Sequence, residues 1–396
     1  MLDTARRSTA EIIAALREEL SERALDAFIL PRFDAHQGEY VAPHDQRLAY
    51  VTGFTGSAGM AIVTAKTVAL FVDGRYQVQV RNECAGPFFS HHHLFNEPPE
   101  SWLAQNAQKG WQVGYDAMHL PPNWFDRFAR ACDKVEAQLV AQIPNPVDAV
   151  WPDQPAPPMG RISAFPLQFS GRSSKDKSLD LAAALERENA DFIVDTQPDN
   201  IAWLLNVRGA DVAFNPMPHS FVLAGRDGKV VWFVASQKLD DSLLDSLPDH
   251  IELQPFDAFL PTLEKRISAG QRVLIDPDFS PVAVRQALEE CGATVLCKPG
   301  LLTLAKAVKN PVSCKACAIA IWMTALHGQS STHGSWKRCR RGPRRAIRSA
   351  NARPRTKFWS CAGHVPASSA RASIRSRRQL VTQPCVTMRR ALSATR

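Results

Sequence analysis

The sequence predicts an α/β protein: two related domains, each a mixed sheet flanked by helices, followed by a basic tail of a different kind. Three observations carry this. Helix, strand, helix and paired strands occur in the same order twice, with Phe28-Ile29 matching Phe192-Ile193 at an offset of 164 and Leu70-Phe71 matching Trp232-Phe233 at 162. A near-constant offset with preserved order marks a duplicated unit. Between the copies, Pro152-Asp-Gln-Pro155-Ala-Pro157-Pro158 can sustain neither a helix nor a ladder and reads as a linker. After Val312 the composition breaks: residues 313–396 hold 18 of the 47 Lys and Arg and none of the 39 Asp and Glu, so 1–312 is acidic and the remainder strongly basic.

The elements follow in order. Ser8-Thr-Ala-Glu11 is a capping box, and Ile12, Ile13, Leu16 and Leu20 after it fall at helical spacing, which predicts an amphipathic first helix. Residues 24–31 read as a buried strand, and 60–64 and 68–72 as two strands of a hairpin across a short polar turn. Helices are expected at 102–108 and 124–132, flanking a strand at 111–115. Past the linker, a helix carrying Leu181 and Leu185 precedes a strand at 191–195 and a helix at 201–205, then strands at 220–224 and 230–234. A helix at 262–268, a strand at 273–276 and a helix at 281–290 complete the second copy.

The net charge of +8 would ordinarily point to nucleic acid, but it belongs wholly to the tail. No apolar run of membrane-spanning length is present, so no membrane partner is expected, and no secretory leader is read at the N-terminus. Of nine Cys, Cys84, Cys132, Cys291 and Cys297 lie widely spaced in the body, which reads as reduced thiols and a cytoplasmic location.

The densest polar and glycine-rich stretch runs Asp34-Ala-His36-Gln-Gly-Glu39-Tyr40, Arg47, Gly53-Phe54-Thr-Gly56-Ser57-Ala-Gly59 and Asp73-Gly74-Arg75-Tyr76. The three glycines read as turn builders, because no Lys-Ser/Thr follows to make a phosphate loop. His91-His92-His93 would alternate faces on a strand and reads as a solvated loop, not a metal site.

This stretch resembles the N-terminal domain of aminopeptidase P, the Xaa-Pro aminopeptidases of the creatinase superfamily, in their three-domain form with two creatinase-type N-terminal domains. Further motifs fall in the family's order. Asn145-Pro-Val-Asp148-Ala-Val-Trp151 resembles the end of the first domain. Asp199-Asn-Ile-Ala202-Trp203-Leu204-Leu-Asn206-Val-Arg208-Gly209 with Asn215-Pro216 resembles the second-domain signature, and Lys306-Ala-Val-Lys309-Asn310-Pro311-Val312 the start of the catalytic domain. The division implied is 1–155 and 156–302 for two creatinase N-terminal-like domains, 303–312 for a stub of the catalytic domain, and 313–396 for an out-of-frame, disordered tail. The resemblance implies a cytoplasmic, homodimeric metallopeptidase that removes an N-terminal residue preceding proline, using two divalent metal ions, manganese, held by Asp, His and Glu of a pita-bread catalytic domain. It also implies that Arg75 reaches from the first domain toward substrate. The alternative reading of that residue is a structural pair with Asp73.

The metal ligands are absent from 313–396, which has no carboxylate side chain, and hard dications need such oxygen ligands. No catalytic or metal residue and no cofactor is therefore assigned in the chain as it stands, and it is expected to be inactive. One lost base explains the break. In the restored frame each codon ends with the first two bases of the residue now read, and permitted choices from Ser313 onward give ELQGMRDCHMDDGIAWTEFHAWL, an amphipathic helix continuing KNPV. The segment 371–388 decodes toward SFDTISAATGNAAMCDY, which resembles the family's segment ahead of its metal ligands. Cys314-x-x-Cys317 with His327 and His333 then only mimics a zinc finger, and the Arg runs at 338–345 and 371–378 follow from out-of-frame reading. Two other functions stand beside the peptidase: a non-catalytic dimerisation or binding module, and polyanion or nucleic-acid binding through the tail.

Overall fold

The computed structural model describes the backbone of residues 7–339 and the side chains of 7–325. The capping box forms as read. The Ser8 N–H and hydroxyl both donate to the Glu11 carboxylate at 2.7 Å, while the Glu11 N–H donates to Ser8 Oγ at 3.3 Å. It opens α1 (Thr9–Glu22), which buries Ile12, Ile13, Leu16 and Leu20. β1 (Ala27–Pro31) starts later than the sequence suggests, because Ala24 takes a left-handed turn with φ of 54°. The first domain continues through α2 (Arg47–Thr52), β2 (Gly59–Thr64), β3 (Val68–Val72), α3 (Gln77–Glu83), β4 (Phe89–His93), α4 (Pro99–Asn106), β5 (Gln112–Tyr115), α5 (Pro122–Lys134), β6 (Gln138–Ala141) and α6 (Pro146–Ala149).

After the proline linker come β7 (Ser163–Ala164), α7 (Leu167–Ser170), α8 (Ser174–Arg187), β8 (Phe192–Asp195), α9 (Pro198–Leu205) and β9 (Val207–Arg208). Then follow β10 (Phe221–Gly225), β11 (Val230–Phe233), α10 (Asp241–Ser246), β12 (Ile251–Gln254), α11 (Phe259–Arg266), β13 (Arg272–Ile275), α12 (Val282–Glu290), β14 (Thr294–Cys297), α13 (Leu301–Ala307) and α14 (Pro311–Cys339).

The duplication is plain in the sheets. One has the order β4-β3-β2-β1-β5-β6 and the other β12-β11-β10-β8-β13-β14. Both are antiparallel through the middle three strands and parallel at the flanks. The ladders correct one detail. Val63 pairs with Val68 and Ala224 with Val230, which makes Val63 and Ala224 equivalent; Phe28 pairs with Val63 and Ile193 with Ala224. The first strands therefore correspond at an offset of 165, and the letter match at 164 is one residue out of register. That residue matters, since a slip of one moves every side chain to the other face. Phe28 packs under α1 and Ile193 under α8, as the ladder requires.

Each sheet is covered on both faces. Val80 of α3 and Val147 of α6 join α1 over one face of the first sheet, while Leu103 of α4 and Phe128 of α5 cover the other. The domains meet through α5 and α12. Val282 and Ala283 enter the first domain's core, their N–H groups donating to Leu120 O at 2.8 Å and Ala117 O at 3.0 Å. Arg285 pairs with Asp126 at 2.8 Å, and Gln286 Nε2 donates to the Tyr115 hydroxyl at 3.0 Å.

Two expectations are corrected. His91, His92 and His93 lie on the edge strand β4, not in a solvated loop, and their backbone completes a parallel ladder with β3. His92 holds Glu97 at 2.7 Å and stacks on Phe71, so its partners lie within the domain. The tail is not structureless from Ser313. Asn310 Oδ1 accepts the Ser313 N–H at 2.8 Å and Pro311 occupies the first turn, which starts α14 where the Ala, Ile, Met and Lys that follow tolerate helix. The same Asn310 donates through Nδ2 to Ser170 O at 2.8 Å, fastening the helix start to α7. Residues 340–396, the side chains of His327 and His333, and those of both arginine runs lie outside the described residues. Among the described residues no helix is long and apolar enough to cross a membrane.

Candidate functional site

Because β1, β3, β4 and β5 run parallel, their carboxyl ends open on one edge of the first sheet, the edge where α/β sheets place ligands. Part of the polar stretch singled out by sequence collects here. Asp34 is buried and organises the loop after β1, its Oδ1 accepting the His36 and Gly38 N–H groups at 3.0 Å each. Gly56 has to be glycine, since a Cβ there would lie 2.2 Å from the Phe54 ring.

The turn after β3 is made by Asp73, not by its glycine. Gly74 is absent from the positive-φ residues, while Asp73 Oδ1 accepts the Arg75 N–H at 2.8 Å. The Arg75 guanidinium returns to the same carboxylate through Nε at 2.9 Å and Nη2 at 2.6 Å, with 65% of the side chain exposed. Burial alone would raise the Asp73 pKa; the hydrogen bonds and charge of Arg75, with His93, hold it below the ordinary value. Tyr76 follows, its hydroxyl 2.6 Å from Ser57 Oγ and its ring 5.1 Å from the Arg75 guanidinium. Arg32, which sequence reasoning passed over, joins them at the end of β1: its Nε donates to Gly56 O at 3.1 Å.

Other motif residues go elsewhere and are architectural. Arg47 forks onto Asp148 at 2.7 and 3.0 Å, so the Arg47 and Asn145–Trp151 motifs meet, and Trp151 stacks on Tyr50 with centroids 4.3 Å apart. Asn200, from the second-domain signature, is buried and donates to Asp195 at 2.9 Å. His36 faces the second domain. It donates through Nδ1 to Thr196 O at 3.0 Å and lies 4.3 Å from the His219 ring. Burial, then the neighbouring His219, push its pKa down to about 3, so it is neutral and serves as a fixed donor. Beyond His219, Lys238 and Asp211 form a buried pair at 2.8 Å. Distance in sequence hid this cluster; only the folded interface assembles it. Among the described residues no group of three or more His, Cys, Asp or Glu is placed to hold a metal ion, so a metal pair does not fit there.

Asp116 and His119, 2.9 Å apart, give a pH test of the nearby packing. Burial would raise Asp116, but His119 and Asn145 lower it to about 2; burial would lower His119, but Asp116 holds it above its ordinary value. The raised histidine stabilises below its unfolded pKa of about 6.5 and loses this as pH rises through the folded value, whereas the depressed carboxylate stabilises above about 4 and loses this toward pH 2. The urea midpoint of His119→Gln should therefore fall furthest below that of the parent near pH 5–6 and approach it by pH 9. A gap independent of pH over that range would remove the pair from the account.

Sequence profiles described as Creatinase/Prolidase N-terminal domain match residues 12–150 and again 153–313. A probable Xaa-Pro aminopeptidase P of Laccaria bicolor is 31% identical over 311 residues, covering 76% of this chain and 48% of the relative. Aminopeptidase P1 of Arabidopsis thaliana is 30% identical over 333 residues, covering 76% and 51%. The chain thus spans about half the length of these curated relatives. In fold it is similar to X-prolyl aminopeptidase from Caenorhabditis elegans, described as a cytosolic enzyme with a di-nuclear active site. The TM-score is 0.72 at 23% identity over 81% of this chain and 56% of that one.

Proposed function

The chain belongs, through its two tandem creatinase/prolidase N-terminal domains, to the aminopeptidase P family, and on that premise we propose that it is the two-domain front of an Xaa-Pro aminopeptidase whose catalytic domain has been read out of frame. The observation that carries the reading is continuity: the domain profiles match through both domains to residue 313, and the chain beyond that point holds no carboxylate side chain. Glu290 is the last acidic side chain, and 313–396 offers none for the two divalent ions, manganese by family resemblance, that supply the attacking hydroxide in intact members. The chain as it stands is inactive on this reading, and in frame it is a cytoplasmic homodimer acting on proline-containing peptides. Restoring the frame and assaying Xaa-Pro hydrolysis tests it.

Within that enzyme Arg75 is the residue of this region that meets substrate. Its exposed guanidinium supports the role, and its fork on Asp73 fixes where the donors stand. In the restored enzyme, Arg75→Ala should lower kcat/KM by about tenfold or more and Arg75→Lys by less, while stability changes by under about 1 kcal/mol, the range for an exposed pair. Lost stability with unchanged turnover per folded molecule would return Arg75 to the structural pairing with Asp73.

A further inference from the structure

The two copies differ beneath their last helices. With Phe28 and Ile193 equivalent, Gly114 matches Leu274, which makes Asp276 the counterpart of Asp116 and Asp195 the counterpart of Leu30. The pairing of β5 with β6 and of β13 with β14 makes Gly300 the counterpart of Pro144, and so α13 the counterpart of α6. In the first domain the aspartate has a partner of opposite charge: Asp116 holds His119 at 2.9 Å and accepts the Asn145 amide at 2.8 Å just before α6. In the second, Phe279 stands in the place of that histidine. Leu30, 1% exposed, is replaced by a second carboxylate, Asp195, 5% exposed. The fold accepts leucine there, so the architecture does not demand this buried carboxyl.

Both carboxyl groups lie under the start of α13. A Cβ on Gly300 would stand 3.3 Å from Asp276 Oδ2, 3.5 Å from Thr303 Oγ1 and 3.9 Å from Asp195 Oδ2. The Gly300 N–H donates to Asp276 Oδ2 at 2.7 Å. Asn200 Nδ2 donates to Asp195 Oδ2 at 2.9 Å and to Thr303 Oγ1 at 3.2 Å, so one amide joins β8 to α13. Leu302 is buried in the second domain's core, and Lys306 pairs with Asp199 farther along the helix. Beyond it Asn310 is fastened separately to Ser170. α13 is thus a short strap, held at both ends and seated on an acidic floor.

No cation is paired with that floor. Among the described residues, Asp195 accepts only from the Gln197 N–H and the Asn200 amide, and Asp276 only from main-chain N–H groups. Asp199 of α9 and Lys306 of α13 act on Asp195 with opposite signs. Asp278 acts on Asp276 from the next turn, and Cys297 faces it from the end of β14. Arg285 of α12, which also acts on Cys297, is paired with Asp126. A carboxyl buried without a counter-ion favours its protonated form. Burial accordingly raises Asp195 to about 7 and raises Asp276 as well, against the hydrogen bonds each accepts.

We propose that α13 is a proton-operated strap with Asp195 as its sensor: closed on the second sheet while that carboxyl is protonated, and lifting as it ionises. Covered and ionised, Asp195 is a buried charge beside Asp199, and the one nearby ammonium, Lys306, is already held by Asp199. Lifting α13 returns the carboxylate to water. The closed state is therefore secure below about pH 4, the ordinary carboxylate value, and weakens as pH rises through about 7. This inference does not rest on the peptidase reading.

Hydrogen exchange of the full chain, expressed as protection relative to the intrinsic rate at each pH, tests it. Protection of the α13 amides should fall about tenfold between pH 6 and pH 8, the change imposed by a carboxyl that titrates near 7 when covered and near 4 when open. Amides of α1 should keep their protection. Asp195→Asn cannot ionise and should hold α13 protection within about twofold over that range. Asp195→Leu installs the residue of the first copy and should behave alike; the urea midpoint identifies which variants are folded. Protection of α13 that stays flat or rises with pH in the parent would overturn the proposal. So would an equal loss in α1, or a fall that survives in either folded variant.

Discussion

Restoring one base at codon 313 should raise hydrolysis of an Xaa-Pro peptide at least about a hundredfold over the chain as it stands, both assayed with manganese. The magnitude follows from what the metals supply. Bound divalent ions lower the pKa of water from near 16 to about 7 and polarise the carbonyl, effects of several kcal/mol, and each 1.4 kcal/mol is about tenfold in rate. Nothing in the two described domains replaces that. His36 is buried, neutral and committed to Thr196, and the His119–Asp116 pair is internal to the first domain. Metal content of the two purified proteins gives a second readout: about two ions per restored chain and no stoichiometric pair in the other. Comparable turnover by both would show that the peptidase reading has misplaced its catalytic groups.

The second large effect concerns stability. Lys238→Met should destabilise the chain by about 3–5 kcal/mol, because it leaves a buried carboxylate without its counter-charge. The side chains of Lys238 and Asp211 are 4% and 0% exposed and meet at 2.8 Å. Asp211 also accepts the His219 N–H at 2.6 Å and the Gly160 N–H at 2.8 Å, while Lys238 reaches His219 O at 3.3 Å, so the pair ties the linker to the β9–β10 connection. Adding Asp211→Asn should recover part of the loss, since the remaining donors then face a neutral acceptor. Urea unfolding of the single and double variants measures this. A loss under about 1 kcal/mol for Lys238→Met would mean that water reaches Asp211 and replaces the ammonium.

Local signals were legible where one short segment settles its own geometry. The Ser8–Glu11 box, the β2–β3 hairpin and the proline linker each need only a few neighbouring residues, and each stands where the sequence puts it. The short flanking strands β4, β6, β12 and β14 were not read, because four or five half-exposed residues carry little alternation and their partners lie far along the chain. The site followed the same division. Arg75 and Asp73 are two residues apart, and their pairing was one of the readings open from sequence. Arg32, His219 and Lys238 acquire meaning only through tertiary contact.

The start of α14 has a use in protein engineering. Asn310 and Pro311 fix the beginning of that helix and fasten it to α7 before the proposed frame break is reached, so the side chains that make the joint all precede Ser313. Any passenger of fair helix propensity spliced after Val312 would leave the domain along one set direction, advancing about 1.5 Å per residue. A fluorescent reporter or a crosslinking arm mounted there would have its bearing set by Ser170 and Asn310, whatever its own sequence.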